Sequence, residues 1–530
     1  MTPARPSAGP PVTPPEALPV AHPTLAVFDF GKTNAKLLVF GAGGSILAER
    51  RTHAAWPVAD GLRVLDDAAL LHWMLAVLRE AVATFDVSGI MITTHGCTFA
   101  LLGEDDLAVP VIDYEERVPP DIEAAFARIR PPFSETATPA MERGFAFGKH
   151  IVWQEMRDPT LAARTRHILT YPQFWVWRLC GALVSEISSL GCHTHLWSPY
   201  RDDFSSLVDQ RGWRDKMPPF REAGAVVGTM TLDVSGRGTV TLDVHNGVHD
   251  SNASLSHYRR VVPGGMTMVS TGTWVIVMNP DCPLDALAPE RDMLANVSVR
   301  HEPVPTARFM GGREFDLIRG EGPADVTDER IVSLVARGLF ALPSFADGGP
   351  YPGQTGKFVD EAGRPLVPAP DDRAALAALY IAAMTDLTLE LLRSTDAIVF
   401  DGGLAKVGAI PRLVAALRPA QAVLVGRNPE GTACGAAGLA YAALGLDPFR
   451  NERAARVAPF DPPGWRDYVA RWRHLADQRG KSRIEPATLA HNAPDKDHHH
   501  AYNARPADVS WIGTPVQPED PAAYGAARPW

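Results

Sequence analysis

Two α/β lobes enclosing a ligand cleft are the architecture this sequence predicts, and three observations predict it. The chain has 530 residues, whereas a single hydrophobic core stops growing at about 250 to 300 residues. Strands, a helix and a further strand alternate from Leu25 onward, the pattern of an α/β unit. A comparable alternation returns after residue 263, so the second half reads as a relative of the first.

Residues 1–23 carry eight prolines and no apolar periodicity, which describes an extended, solvated leader. The fold then opens with three strands, LAVFDF, AKLLVF and SILAERR, separated by the turns GKTN and GAGG. In the next segment Leu71, Met74, Leu75 and Leu78 stand at helical spacing, and the strand GIMITT follows. YPQFWVWRL reads as an aromatic core helix. In the second half, GGMTMVSTGTWVIVMNP gives two strands joined by STGT. A long amphipathic helix follows, with Asp371 or Asp372 as N-cap and Leu376, Leu379, Tyr380, Ala383 and Leu387 on one stripe, leading into the strand AIVFDGG. The expected boundaries are 24–262 for the first lobe, 263–484 for the second and 485–530 for a disordered tail that contains His498 to His500.

Hydrophobic residues are 46% and charged residues 21%, enough apolar material for two cores. A net charge of −10 disfavours nucleic acid and anionic membranes, both of which select clustered positive charge. Five scattered cysteines without a CxxC pair indicate neither a disulfide framework nor a cysteine-rich zinc site. With no export signal or long apolar run in view, the reading is a cytoplasmic monomer or homodimer whose partner is a small molecule.

Four segments could carry chemistry. FDFGKTNAK contains a GKT, but a P-loop needs glycine where Ala26 stands and a helix after the lysine, and a strand follows instead. A turn between antiparallel strands can still hold phosphate through its N–H groups, the Thr33 hydroxyl and Lys32 or Lys36, with Asp29 suited to Mg2+ through water. The same residues also suit a plain hairpin. VSTGTWVIV supplies a second hydroxyl-rich turn, Thr271, Gly272 and Thr273, as a phosphoryl chain held between two lobes requires. In NGVHDSNASL, Asp250 sits where a strand meets a helix and either caps that helix or takes the proton of an attacking hydroxyl. His245 and His249 stand four apart, but no third metal ligand has an evident spacing. Lastly, Gly402 and Gly403 end a strand, and the helix near Gly431 has a thin face at Gly435, so this junction suits either a flat ligand or close helix packing. Cys192, His193 and His195 read as packing or as a loop lining a cleft.

Taken in order, DFGKTNAK, THGCTFALL, GVHDSNASL, STGTW and DGGLAK with EGTACGAAGLA resemble the FGGY carbohydrate kinases, and within them the rhamnulokinase and fuculokinase branch. The resemblance implies two actin-like, ribonuclease-H-like lobes with sugar and ATP meeting in the cleft. It implies Asp250 as catalytic base. It assigns ATP and phosphate contacts to Gly31, Lys32, Thr33, Asn34, Lys36, Thr271, Gly272, Thr273, Gly402, Gly403 and Gly435, with Mg2+ at Asp29. Sugar contacts fall to His95, Gly96, His249, Asp250 and Trp274. Two departures stand out: Lys32 replaces a small or hydroxyl residue, and Leu404 and Val407 stand near the places of a glycine and an asparagine of the adenosine motif. The expected reaction is ATP-dependent phosphorylation of a small sugar, a ketose such as L-rhamnulose or L-fuculose. A catalytically impaired sugar-responsive protein and an actin-like ATPase are the alternatives.

Overall fold

The computed structural model describes residues 23–481 apart from 142, 143, 324 and 429, so nearly all of the leader and the whole 485–530 tail lie outside the described residues. Each half is built on a seven-stranded sheet. In the first, β1 (Thr24–Phe30), β2 (Asn34–Phe40) and β3 (Ile46–His53) form an antiparallel meander. Helix α1 (Asp67–Thr84) then returns the chain to β4 (Val87–Thr94), parallel to β1. The hairpin β5 (Val226–Val234) and β6 (Gly238–His245) extends that edge, with β6 parallel to β4, and the short β7 (Val248–His249) also pairs with β4.

The second sheet repeats the plan. After helix α2 (Asp250–Val261), strand β8 (Met266–Thr271) pairs antiparallel with β9 (Val275–Met278). Strand β9 pairs in the same sense with β11 (Pro303–Phe309), which carries β10 (Leu294–Val297) on its far side. Helix α3 (Arg373–Leu391) delivers β12 (Ala397–Gly402) parallel to β8, and β13 (Val423–Val425) runs parallel to β12. Helix α4 (Gly431–Ala443) follows. The recurrence seen in the sequence is therefore a recurrence of topology: meander, helix, parallel strand.

Three local expectations change in the folded chain. The stripe of α1 is rotated, with Leu70, Met74, Val77, Leu78, Ala81 and Val82 buried and Leu71 and Leu75 half-buried. Helix α3 has no solvent face, since Ala374 to Leu389 are all buried between the second sheet and neighbouring helices. Helix α3 and its preceding turn, Pro370–Leu391, are also long and apolar enough to cross a bilayer, but they form the core of the second lobe. Asp372 does not cap α3 with its side chain. Its carboxylate accepts from Arg330 at 3.3 Å and Arg337 at 2.9 Å, because two guanidiniums compete better than one backbone N–H. The aromatic helix Tyr171–Cys180 is core as expected.

Two helices tie the halves together. Leu255, Tyr258 and Val261 of α2 pack with Met266, Met268 and Val399 of the second sheet, whereas Ala433, Ala436, Ala437 and Ala440 of α4 pack with Leu25, Val27 and Leu38 of the first. Where α2 and α4 cross, a Cβ on Gly435 would lie 1.9 Å from the Ala253 carbonyl oxygen. Gly435 is thus placed at a helix crossing, outside the cleft lining where the motif resemblance put a nucleotide contact.

Candidate active site

The C-terminal ends of β1, β4 and β7 lie side by side, because Phe30 pairs with Thr94 and Thr94 with His249. They bring Asp29, His95, Gly96 and Asp250 to one edge, the edge of an open parallel sheet where ligands bind. In the second lobe Ser270 pairs with Asp401 and Thr271 with Gly402, so β8 and β12 end together too. The two edges face each other across a cleft of about 410 Å³. Lys36 of the first lobe reaches Glu430 of the second at 2.7 Å.

Asp250 opens α2, and its Oδ1 accepts from Ser251 N at 2.5 Å and lies 3.1 Å from His249 Nε2. Burial works against its ionisation, but the adjacent imidazole outweighs it and holds the carboxyl below its usual range. His249 is correspondingly raised well above the ordinary imidazole value, against the pull of burial, by Cys192 and Asp250. Cys192 Sγ lies 3.5 Å from His249 Nε2. His249 is thus a partner of the Asp250 carboxylate inside the wall. His95 is the opposite case, since burial lowers it to about 4 and leaves it neutral. Its Nδ1 faces Gly96 O at 2.8 Å, while its buried Nε2 has no partner among the described residues.

Asp29 is pushed up to about 7, first by burial and then by Asp250 and Glu430, although Lys36 opposes the shift. A buried carboxylate with that much proton affinity also favours a hard cation, so the donor chemistry fits Mg2+. Among the described residues no group of three His, Cys, Asp or Glu is arranged to hold a metal by itself. His245 lies within 2.6 Å of the Gly224 carbonyl through Nδ1 and forms no pair with His249.

Several expected phosphate contacts are placed differently. The Lys32 ammonium turns inward to Asp113 at 2.5 Å and sits 3.7 Å from the Trp56 ring centroid, so its charge is already matched inside the lobe. Thr33 and Asn34 are exposed at the tip of the turn, outside the cleft wall. The Thr271 hydroxyl donates to Asp401 O at 2.6 Å and accepts from Leu404 N at 3.0 Å, so it braces the strand ends. Gly402, at φ +90°, is required by the Thr271 carbonyl, which a Cβ would approach to 1.9 Å. Gly403 donates to that carbonyl at 2.8 Å and is not part of the cleft wall. Gly31, Lys32, Lys36, Thr271, Gly272, Thr273, Trp274 and Gly402 do line the cleft.

The walls also hold residues that the motifs did not single out: Cys97, Tyr114, Phe145, Asn296, Arg308, Asp401 and Glu430. Asp401 was legible, standing inside FDGG next to the two glycines. Gly431 leaves no room for a side chain beside it, since a Cβ would meet Asp401 Oδ2 at 2.3 Å. Cys192 and His193 do line the cleft. Burial alone would lower His193, yet Cys192 and Cys97 raise it to about 10.

Residues 263–448 match the family model for the carbohydrate kinase FGGY C-terminal domain. A carbohydrate kinase from Novosphingobium aromaticivorans is 32% identical, with a TM-score of 0.76 over 87% of this chain and all of the other. Ligand-bound xylulose kinase from Lactobacillus acidophilus shares the fold at 15% identity, TM-score 0.71, over 87% of this chain and 98% of that one. Plasmodium falciparum glycerol kinase with ADP does so at 12% identity, TM-score 0.70, over 88% and 99%. No curated protein matches in sequence.

Proposed function

The chain belongs to the FGGY carbohydrate kinases and is a phosphotransferase of two actin-like lobes, and from that premise we propose that Asp250 is its general base toward a hydroxyl of a small ketose. The motif resemblance supports a ketose of the rhamnulose or fuculose kind. The observation that carries the reading is the shared cleft edge of Asp250 and His95, a carboxylate and an imidazole whose Nε2 is free to accept a hydrogen bond from a hydroxyl.

Asp250 takes the proton as the sugar oxygen attacks the γ-phosphate of ATP in line, and the His249 imidazolium keeps the carboxylate oriented. His95 and Trp274 position the sugar, while Gly31, Lys36, Gly272 and Thr273 flank the phosphates from the two lobes. Asp29 would hold Mg2+ through water. Bound there, the cation supplies neutralisation of phosphate charge. Closure of the lobes excludes water that would otherwise compete as nucleophile.

The test is ADP release with ATP and a panel of ketoses, aldoses and polyols, for the wild type and Asp250→Asn. A sugar should stimulate release, and the substitution should lower turnover by at least about a hundredfold while sugar and ATP still bind. Near-normal turnover in the variant would remove Asp250 from the mechanism. Sugar-independent ATP hydrolysis would favour an ATPase.

A further inference from the structure

One wall of the cleft belongs neither to a phosphate turn nor to the edge of His95 and Asp250. Strands β9, β10 and β11 build it. Their register sets Ile276 opposite Arg308, Leu294 opposite Thr306 and Asn296 opposite Val304, which puts Ile276, Leu294, Asn296, Thr306 and Arg308 on one face. All five line the cleft, while Val275, Val277, Ala295, Ala307 and Phe309 face the core on the other side.

Three polar side chains of this wall are almost wholly buried: Thr306, whose hydroxyl donates to Val304 O, and two others, Arg308 at 6% exposure and Asn296 at 3%. Each of these two keeps one atom without a partner among the described residues: the donor Arg308 Nε and the acceptor Asn296 Oδ1. A buried polar atom left unsatisfied is costly, and a ligand that supplies the missing partner recovers that cost on binding. Neither side chain is loose. Arg308 Nη2 donates to Asp292 Oδ1 at 3.2 Å and lies 3.1 Å from Met141 Sδ, and its guanidinium carbon sits 4.7 Å from the Trp274 ring centroid. Asn296 Nδ2 donates to Thr306 Oγ1 at 3.1 Å. The unpaired atoms are therefore held in fixed directions, as recognition of a substrate hydroxyl requires. Because Asp292 already matches the charge of Arg308, the wall offers a donor and an acceptor with no surplus charge.

Resting on the sugar-kinase reading of the cleft, we propose that Arg308 and Asn296 are specificity-determining residues. Arg308 Nε donates to, and Asn296 Oδ1 accepts from, hydroxyls of the sugar other than the one that is phosphorylated. The substrate class this selects is a neutral polyhydroxylated sugar, in preference to an aldonic or uronic acid.

The experiment uses the full chain, ATP and matched neutral sugars, aldonates and uronates, with ADP release as readout and separate KM values for sugar and ATP. Arg308→Lys keeps the positive charge but removes the Nε–H, and Asn296→Leu removes the acceptor at similar volume. Each is expected to raise the sugar KM about tenfold or more, with the ATP KM and kcat within about threefold. A deoxy analogue of the best substrate that is poorer for the wild type should lose its disadvantage in one of the two variants. Unchanged sugar KM in folded variants overturns the proposal and leaves the kinase reading intact, as does a wild-type preference for aldonates or uronates. Absence of turnover on every sugar overturns both. If Arg308→Lys fails to give a cooperative melt, the Asn296→Leu KM decides.

Discussion

The turn after β1 and the turn after β8 occupy the same place in their sheets, yet their chemistry differs. Each is closed by a single backbone bond, Gly31 N to Asn34 O at 2.9 Å in the first and Gly272 N to Trp274 O at 2.8 Å in the second. The first is surrounded by charge: Asp29 on β1, Lys32 in the turn and Lys36 on β2, with Lys36 opposite Asp29 in the register. The second, Ser270 to Trp274, has no ionisable side chain. A shared backbone plan thus makes two cleft-facing turns, but only one lobe places charge at its turn. In the other lobe the buried charges that line the cleft stand elsewhere, Asp401 at the end of β12 and Arg308 on the strand wall.

The contrast breaks most sharply at Lys36. Lys36→Ala should lower kcat/KM for ATP by about tenfold or more, since the cation lost is one that lines the cleft itself, where ATP can take it over from Glu430. Thr273→Ala in the neutral turn should cost no more than about threefold. Equal losses would mean that the two turns share the electrostatic load.

A smaller effect follows from Asp29, whose carboxyl is raised to about 7 chiefly by burial. Below that pH it carries a proton, and a cation site built on it would hold Mg2+ poorly. The Mg2+ concentration for half-maximal ADP release should rise about tenfold between about pH 8 and about pH 6. Without Mg2+ and ATP the sign for stability is opposite. The native state binds more protons than the unfolded one between 3.8 and about 7, so this contribution is full at low pH and is lost as pH rises through about 7. A Mg2+ requirement independent of pH would remove Asp29 from the cation site.

The smallest effect on activity is expected at Lys32. Its ammonium is spent on Asp113 and Trp56, so Lys32→Met should leave the ATP KM within about twofold while lowering the melting temperature, because Asp113 is left buried without its nearest cation. A tenfold rise in ATP KM at unchanged melting temperature would return Lys32 to the phosphates.

Much of the fold was legible. Strands β1 to β4, β8, β9 and β12 fall within a residue or two of their predicted spans, because short apolar runs bounded by Gly, Asn and Ser carry their own signal. The buried stripe of α1 was read one position off, since Leu71 and Leu75 are as apolar as the residues that are buried and the choice lies with the sheet beneath them. The site was legible where a motif ends a strand, as at Asp29, His95 and Asp250. It was not legible at Arg308 and Asn296, which stand in ordinary-looking strand sequence.

The order of the elements, their repetition in two halves and the residues at the strand ends follow from local pattern, since hydrophobic period and turn chemistry act between near neighbours. What each polar group faces follows from the packing of distant segments. Lys36 meets Glu430 across 394 positions of chain, Lys32 turns to Asp113, the Thr271 hydroxyl is spent on the β12 end, and Gly435 lies against Ala253. A long flexible side chain has several partners within reach of its own strand, and a glycine has several reasons to be small. The lowest-energy choice among them depends on which distant backbone the two packed lobes bring alongside, and that is fixed only when both cores have formed.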